Sequence, residues 1–400
     1  MSSNTEVRRR RVFYIPGYDP MPPRRYRELY RKESEGQAAI SGYEIKVMPG
    51  PRHARFGWRV EARIEGRGTR TDVTVLVWSD IVKDSMDRGI LATYAQLFRT
   101  AWAYVGSGTL FRLMRLRKGP VIAALYPVVI LLLQLLFALL VAWGLARLLM
   151  LWHPLAGWAG LGAVPIVLAG FRRLDGRFFA YYLMHDYAHC ARLDGAMPPE
   201  LEARLAAFTD DVAAALTEGH DEVLVVGHSS GVHLGVTVLA DLIRAGRVPS
   251  DGPALSFLSL GQVVPMVSFL PRAWRLRADL AYLGTRPELF WLDVSAPGDG
   301  CAFALCDPIS VSGVAPTGKR WPLVISAAFT QTLSRARWRA LRWRFFRLHF
   351  QYLCAFDQPH DYDYFRITAG PQTLGRRFAG RQPSQSRIER PVSRYTDVAP

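Results

Sequence analysis

The stretch that most constrains this chain runs from Asp221 to Leu242. It opens with a short β-branched and apolar run, Val223 to Val226, which reads as a strand buried on both faces. Gly227-His228-Ser229-Ser230-Gly231 follows, a G-x-S-x-G pentapeptide, and then Val232, Val236, Leu239, Ala240 and Ile243 recur at helical spacing. A serine on so sharp a strand-to-helix turn needs neighbours without side chains, because strand and helix otherwise cannot approach closely. The pattern therefore calls for a layered α/β fold with Ser229 standing above the C-terminal edge of a sheet. Glycine-rich turns of this kind also cradle phosphates, but the Lys-Ser/Thr ending of a P-loop is missing here.

At these residues the chain resembles the α/β-hydrolase superfamily, the fold of lipases, esterases and thioesterases, in which strand, G-x-S-x-G and helix form the nucleophile elbow. The resemblance implies a central, mostly parallel sheet flanked by helices, with Ser229 as nucleophile between Gly227-His228 and Ser230-Gly231. It further implies an oxyanion hole built from the N–H of Ser230 and an N–H from a Gly-containing loop after an earlier strand. Val12 to Ile15 reads as that strand and Pro16-Gly17-Tyr18 as its loop, so Gly17 and Tyr18 occupy the donor position. Beyond the elbow the likeness is one of order and spacing.

The same order, serine then acid then histidine, directs the search for the partners. Glu288 to Ser295 reads as a late strand and Ala296-Pro297-Gly298-Asp299-Gly300 as its C-terminal turn, which makes Asp299 the best-placed acid. Asp293 would lie in mid-strand and Asp307 farther along. Only His349 and His360 follow. Trp343 to His349 reads as an aromatic-rich strand with His349 at its end, whereas His360 sits in a polar loop between Asp357 and Asp361 that would raise its pKa and hold it toward solvent. His349 is preferred and His360 stays open as the alternative. Such a triad performs acyl transfer from an ester or thioester and needs no metal or organic cofactor. Met184-His185-Asp186-Tyr187-Ala188-His189 is one carboxylate homologue away from H-E-x-x-H, but Asp is shorter than Glu and no third ligand follows, so no metal site is expected.

A second feature changes the character of the protein. Val121 to Ala146 contains no charged residue, and about 20 apolar residues suffice to cross a bilayer. After Arg147 and His153-Pro154, a shorter apolar segment runs from Leu155 to Phe171. Arg112, Arg115, Arg117 and Lys118 precede this hairpin and Arg172, Arg173 and Arg177 follow it, so both ends belong on the positive-inside side. The alternative is a hydrophobic helical hairpin that covers the active site or pairs two subunits in a homo-oligomer.

The chain of 400 residues divides on this reading into 1–118, the first part of the α/β domain; 119–172, the hairpin; 173–372, the second part; and 373–400, a basic tail expected to be disordered. Lys and Arg number 50 against 34 Asp and Glu, a net charge of +16. With no nucleic-acid-binding motif in sight, that charge suits the anionic face of a membrane. The basic helix expected over Met21 to Ser41 fits the same partner. Four cysteines without metal-type spacing fit reduced thiols, and Met1 to Arg11 does not read as a secretory signal. The expectation is a membrane-associated serine hydrolase acting on a lipid or acyl ester, in a bacterial inner membrane with its catalytic domain cytoplasmic. Two other readings remain: a catalytically inactive membrane-anchored scaffold, and a peripheral enzyme acting on water-soluble esters or peptides.

Overall fold

A computed structural model describes residues 6–50, 56–86 and 89–400. Its strands are β1 (Arg9–Ile15), β2 (Glu44–Pro49), β3 (Gly57–Ile64), β4 (Arg67–Val75), β5 (Glu222–His228), β6 (Ala254–Leu260), β7 (Leu289–Ser295) and β8 (Leu323–Ser326). They form one sheet in the order β2-β3-β4-β1-β5-β6-β7-β8. From β4 to β8 every neighbouring pair is parallel, and β2 and β3 fold back antiparallel at one edge.

Residue alternation explains why the sheet is covered on both faces. In β5, Val223 and Val225 enter one apolar cluster while Leu224 and Val226 enter the other, and all four are fully buried. Each such side chain contributes roughly 1.5–3 kcal/mol through removal from water. Helix α1 (Arg24–Ser41) covers one face. After β4 the chain leaves the sheet for α2 (Ile90–Gly106), the long α3 (Lys118–Leu149), a 3-10 segment (Pro154–Gly162), α4 (Ala163–Arg173) and α5 (Ala180–Ala191). It returns through α6 (Pro199–Ala215), which covers the opposite face together with α7 (Gly231–Arg244) and α8 (Trp274–Leu283). Helices α9 (Arg335–Leu341), α10 (Phe345–His349) and α11 (Tyr364–Ala369) bring the chain back to the face covered by α1.

At the N-terminal end of the central strands, Arg10 and Glu222 form a fully buried ion pair at 2.7 Å. Arg10 also donates to the carbonyl oxygens of Gly370 and Gln372, and Glu222 accepts from Ser256 Oγ and the Leu374 N–H. Every charge-bearing group of the pair is thus satisfied, the condition under which burying it is tolerable.

Lys118–Leu149 and Pro154–Arg173 are both long and apolar enough to cross a membrane, and most of each faces outward. Their mutual packing is made by small residues: a Cβ added to Gly160 would meet the Ala142 carbonyl oxygen at 2.7 Å and the Ala146 nitrogen at 2.8 Å. Close approach through Gly and Ala is the packing mode that apolar helices use where no water drives them together.

Several expectations need correction. Trp343 to His349 is not a strand: Trp343 lies in the turn between α9 and α10, and Phe345–His349 is α10. In α10 the buried residues Leu348 and His349 are adjacent, a pattern that the alternation of a strand does not give. The segment 373–400 is ordered along the edge of the domain: Ser384 donates to the Val324 carbonyl beside β8, Ile388 to Leu305 and Val392 to Val311. Val324 belongs to the edge strand β8, while Leu305 and Val311 lie in the loop and short helix after β7, so exposed backbone carbonyls from three places hold the segment whatever its composition. β8 itself, only four residues long, went unforeseen. The pattern from Asp87 to Leu116 reads as helical; α2 begins at Ile90, and residues 87 and 88 lie outside the described residues.

Candidate active site

Ser229 follows β5 with φ at +55°, a conformation that L residues rarely adopt. The glycines around it explain how the chain tolerates this. A Cβ on Gly231 would lie 2.1 Å from the Ile15 carbonyl oxygen, and one on Gly227 would lie 2.8 Å from the Val232 Cα. Gly17, from the loop after β1, is pressed against the serine: a Cβ there would come within 3.0 Å of Ser229 Cβ and 3.4 Å of its Oγ. Tyr18 follows it, and Ser230 opens α7. The positions expected for an oxyanion hole thus flank the serine.

Asp299 sits in the turn after β7, where the sequence placed it, and is buried. Its Oδ2 lies 2.7 Å from His349 Nδ1 and accepts the Tyr352 hydroxyl at 3.0 Å, while Oδ1 accepts the Cys301 N–H at 2.9 Å. Burial alone would push this carboxyl up, but the His349 imidazole and these donors outweigh it and hold its pKa below the ordinary value. His349 uses Nδ1 on Asp299, and its Nε2 is buried without a hydrogen-bond partner. The ring packs beside the elbow: a Cβ on Gly261 would approach His349 Cε1 at 3.0 Å, and the preceding Leu260 carbonyl accepts the Ser229 N–H at 2.9 Å. His360 lies on an exposed loop, so it is His349 that meets the acid. The other carboxylates weighed for this role are occupied elsewhere. Asp293 accepts from Ser259 Oγ inside β7, and Asp307 caps the turn at Ile309 and Ser310 and pairs with Lys319.

α5 closes the site from the hairpin side. Its Tyr182 hydroxyl donates to the Tyr18 carbonyl oxygen. Part of the Asp186 side chain is reached by solvent, yet its Oδ1 is shut off and unpaired. Burial pushes the Asp186 carboxyl up to about 7, with His349 near enough to pull it the other way. The two histidines of the same helix do not converge on a metal. His185 Nδ1 meets Gln96 Oε1 at 2.9 Å, while His189 lies against the rings of Tyr18 and Trp78 and is pushed down to about 4 by burial. Asp299, Cys301 and His349 bring one potential ligand atom each within 4.8 Å of one another. However, His349 Nδ1 is spent on Asp299, and burial, with Asp299 adding to it, raises the Cys301 thiol well above its usual range. The set is better suited to hydrogen bonding than to holding a cation.

No protein-family model matches the chain, and neither a curated protein nor a solved structure matches it.

Three contributors had no signal in the sequence. Tyr352 bridges the acid loop through one hydroxyl, donating to Asp299 and accepting from the Ala296 N–H at 2.9 Å. Asp186, and the His228 side chain that donates from Nε2 to the His349 carbonyl oxygen, likewise depend on contacts between distant segments. Only an i, i+3 relation between His349 and Tyr352 hinted that the two rings share one helical turn.

Proposed function

We propose that the protein is a membrane-associated serine hydrolase of α/β-hydrolase type that cleaves an ester or thioester of a lipid or acyl substrate. One observation carries this reading: the 2.7 Å pair of Asp299 and His349, with the free Nε2 of the histidine on a ring packed beside the strained elbow serine.

In this mechanism His349 Nε2 takes the proton of Ser229 Oγ–H as Oγ bonds to the substrate carbonyl carbon. The carbonyl π electrons move onto oxygen, where the N–H groups of Ser230 and of Gly17 or Tyr18 receive the charge. Asp299 holds the imidazole with Nδ1 protonated and stabilises the imidazolium. Collapse of the intermediate breaks the bond to the leaving alcohol or thiol, which takes the proton from Nε2. Water then repeats the sequence on the acyl-enzyme and releases the acid, and an alcohol in its place would complete an acyl transfer.

The lipid class rests on the surroundings of the pair. α3 begins against the acid loop, where a Cβ on Gly119 would lie 3.0 Å from Gly300 Cα. Phe345 borders the same glycine, Phe346 stacks on Phe179 and Tyr182, and Trp343 stands exposed nearby. Apolar and aromatic side chains beside two membrane-competent helices suit a long acyl chain, and the flanking arginines suit an anionic membrane surface. The arginines at both ends of the hairpin favour a cytoplasmic catalytic domain on a bacterial inner membrane.

The test is labelling of the detergent-solubilised protein with a fluorophosphonate probe. Wild type and His360→Ala should label, while Ser229→Ala and His349→Ala should not. A folded wild type that stays unlabelled, or labelling that survives Ser229→Ala, would overturn the proposal.

A further inference from the structure

α2 presents an apolar stripe that no described residue covers. Leu91, Phe98, Trp102 and Val105 recur at spacings of seven, four and three, so they share one face of the helix. Leu91 is 85% exposed, Phe98 76% and Trp102 74%, and Phe111 and Met114 extend the surface beyond the helix end. A contiguous apolar surface of this kind normally marks an interaction site.

The other side of α2 is firmly seated. Leu97 packs with Leu131 of α3 and with Ala180, Tyr181 and Met184 of α5, the Tyr94 hydroxyl donates to the Leu131 carbonyl at 2.9 Å, and the Tyr104 hydroxyl donates to the Met266 carbonyl at 2.9 Å. The stripe is therefore a fixed surface, and the contact with α3 makes it continuous with the outward apolar side chains of the hairpin, among them Ile122, Val129 and Leu133. Leu131 also sets a depth. Eighteen residues of α3 follow it, about 27 Å at ~1.5 Å per residue, close to the ~30 Å of bilayer hydrocarbon. The junction of α2 and α3 thus falls where a membrane-crossing α3 would leave the hydrocarbon. The charge around it has one sign: no carboxylate occurs between Asp87 and Asp175, a span that holds Arg99, Arg112, Arg115, Lys118, Arg172 and Arg173.

We infer that α2 forms a second membrane contact, with its Leu91–Trp102 face bedded in the near leaflet of an anionic bilayer beside the hairpin. The inference rests on the membrane reading of the hairpin. Its consequence is positional: α5, packed on both α2 and α3, carries Tyr182 and Asp186 to the site, so the triad lies just beneath the leaflet surface and receives its substrate from there.

The experiment places the photoreactive residue p-benzoylphenylalanine at Phe98 or Trp102, or at the outward Leu140 of α3 as reference. The full chain is reconstituted in vesicles of phosphatidylcholine and phosphatidylglycerol, irradiated, and read by mass spectrometry. Lipid adducts at 98 and 102 in yields comparable to 140 are expected. Adducts at 140 with only protein crosslinks, or none, at 98 and 102 would overturn the inference and leave the spanning hairpin standing. Absence of adducts at all three positions would overturn both. Because the readout does not depend on Ser229 chemistry, failure of the hydrolase reading would show separately, in the probe labelling.

Discussion

His228 donates from its side-chain Nε2 to the backbone carbonyl oxygen of His349, 3.0 Å away. A carbonyl only accepts, so the tautomer is set: the proton sits on Nε2. Burial, helped by the neighbouring His349, holds the His228 pKa down to about 3, and the ring stays neutral over the working pH range. The residue before the elbow serine thus serves as a strut for the backbone of the candidate base. His228→Phe keeps the ring and removes the donor, leaving a buried carbonyl unpaired at a cost of about 1–3 kcal/mol. The rate of fluorophosphonate labelling is expected to fall on the order of 10-fold, with a lowered melting temperature.

Asp299→Asn tests the proposed orienting acid. The amide still fills the site but can present an NH2 to His349 Nδ1, which favours the wrong tautomer. Labelling rates should drop by on the order of 10³–10⁴ while circular dichroism remains that of wild type. Tyr352→Phe removes a donor to Asp299 and the acceptor of the Ala296 N–H. It should cost about 1–3 kcal/mol of stability in denaturant titrations.

Asp186 should leave its mark on the pH dependence of stability. In the folded chain it keeps its proton up to about pH 7, whereas its ordinary value is 3.8. Between these limits the folded state holds a proton that the unfolded chain has released, so stability falls as pH rises through this window. Asp293, also raised to about 7 by burial, contributes in the same direction. Asp186→Asn should flatten the decline in melting temperature between pH 4 and 7 by its own share, on the order of 1–4 kcal/mol. An unchanged slope would show that the carboxyl is ionised in the folded chain.

Breaking the Arg10–Glu222 pair from either side leaves a charge stranded with no exposure to solvent. Arg10→Ala and Glu222→Ala should each destabilise by about 3–5 kcal/mol, read as a shift in the urea midpoint. The double replacement should cost less than the sum of the two.

Much of this was legible in the sequence where local chemistry dictates structure. The elbow was, because Gly227 answers to Gly231 and Val232 within five residues, although Gly231 itself answers to Ile15 and Pro16 from the distant β1. The β5 strand was too, because a strand buried on both faces admits nothing polar between Val223 and Val226. The acid turn could be placed because a strand and an Asp-Gly turn adjoin there. Arg10 was another matter: within Arg8-Arg9-Arg10-Arg11 it reads as one more solvated cation, and only pairing with a strand more than 200 residues away buries it. Trp343 to His349 misled because aromatic richness favours strands, while the turn at 342–344 and the adjacent burial of Leu348 and His349 are set by packing against distant segments. The ordering of 373–400 depends on backbone carbonyls of β8 and of the loop and short helix after β7, which no stretch of that segment encodes.

The position of β1 has a consequence for how the protein is made. β1 lies between β4 and β5, and its Arg10 waits for Glu222, 212 residues later. At about 5–20 residues per second, the ribosome needs about 10–40 s to deliver that partner. From residue 173 onward the growing chain carries both apolar helices and a half-sheet whose central edge is open. Translation that stops before residue 222 would leave that edge unpaired, the feature most prone to join another chain. The elbow strand is thus the piece whose emergence closes the nascent domain.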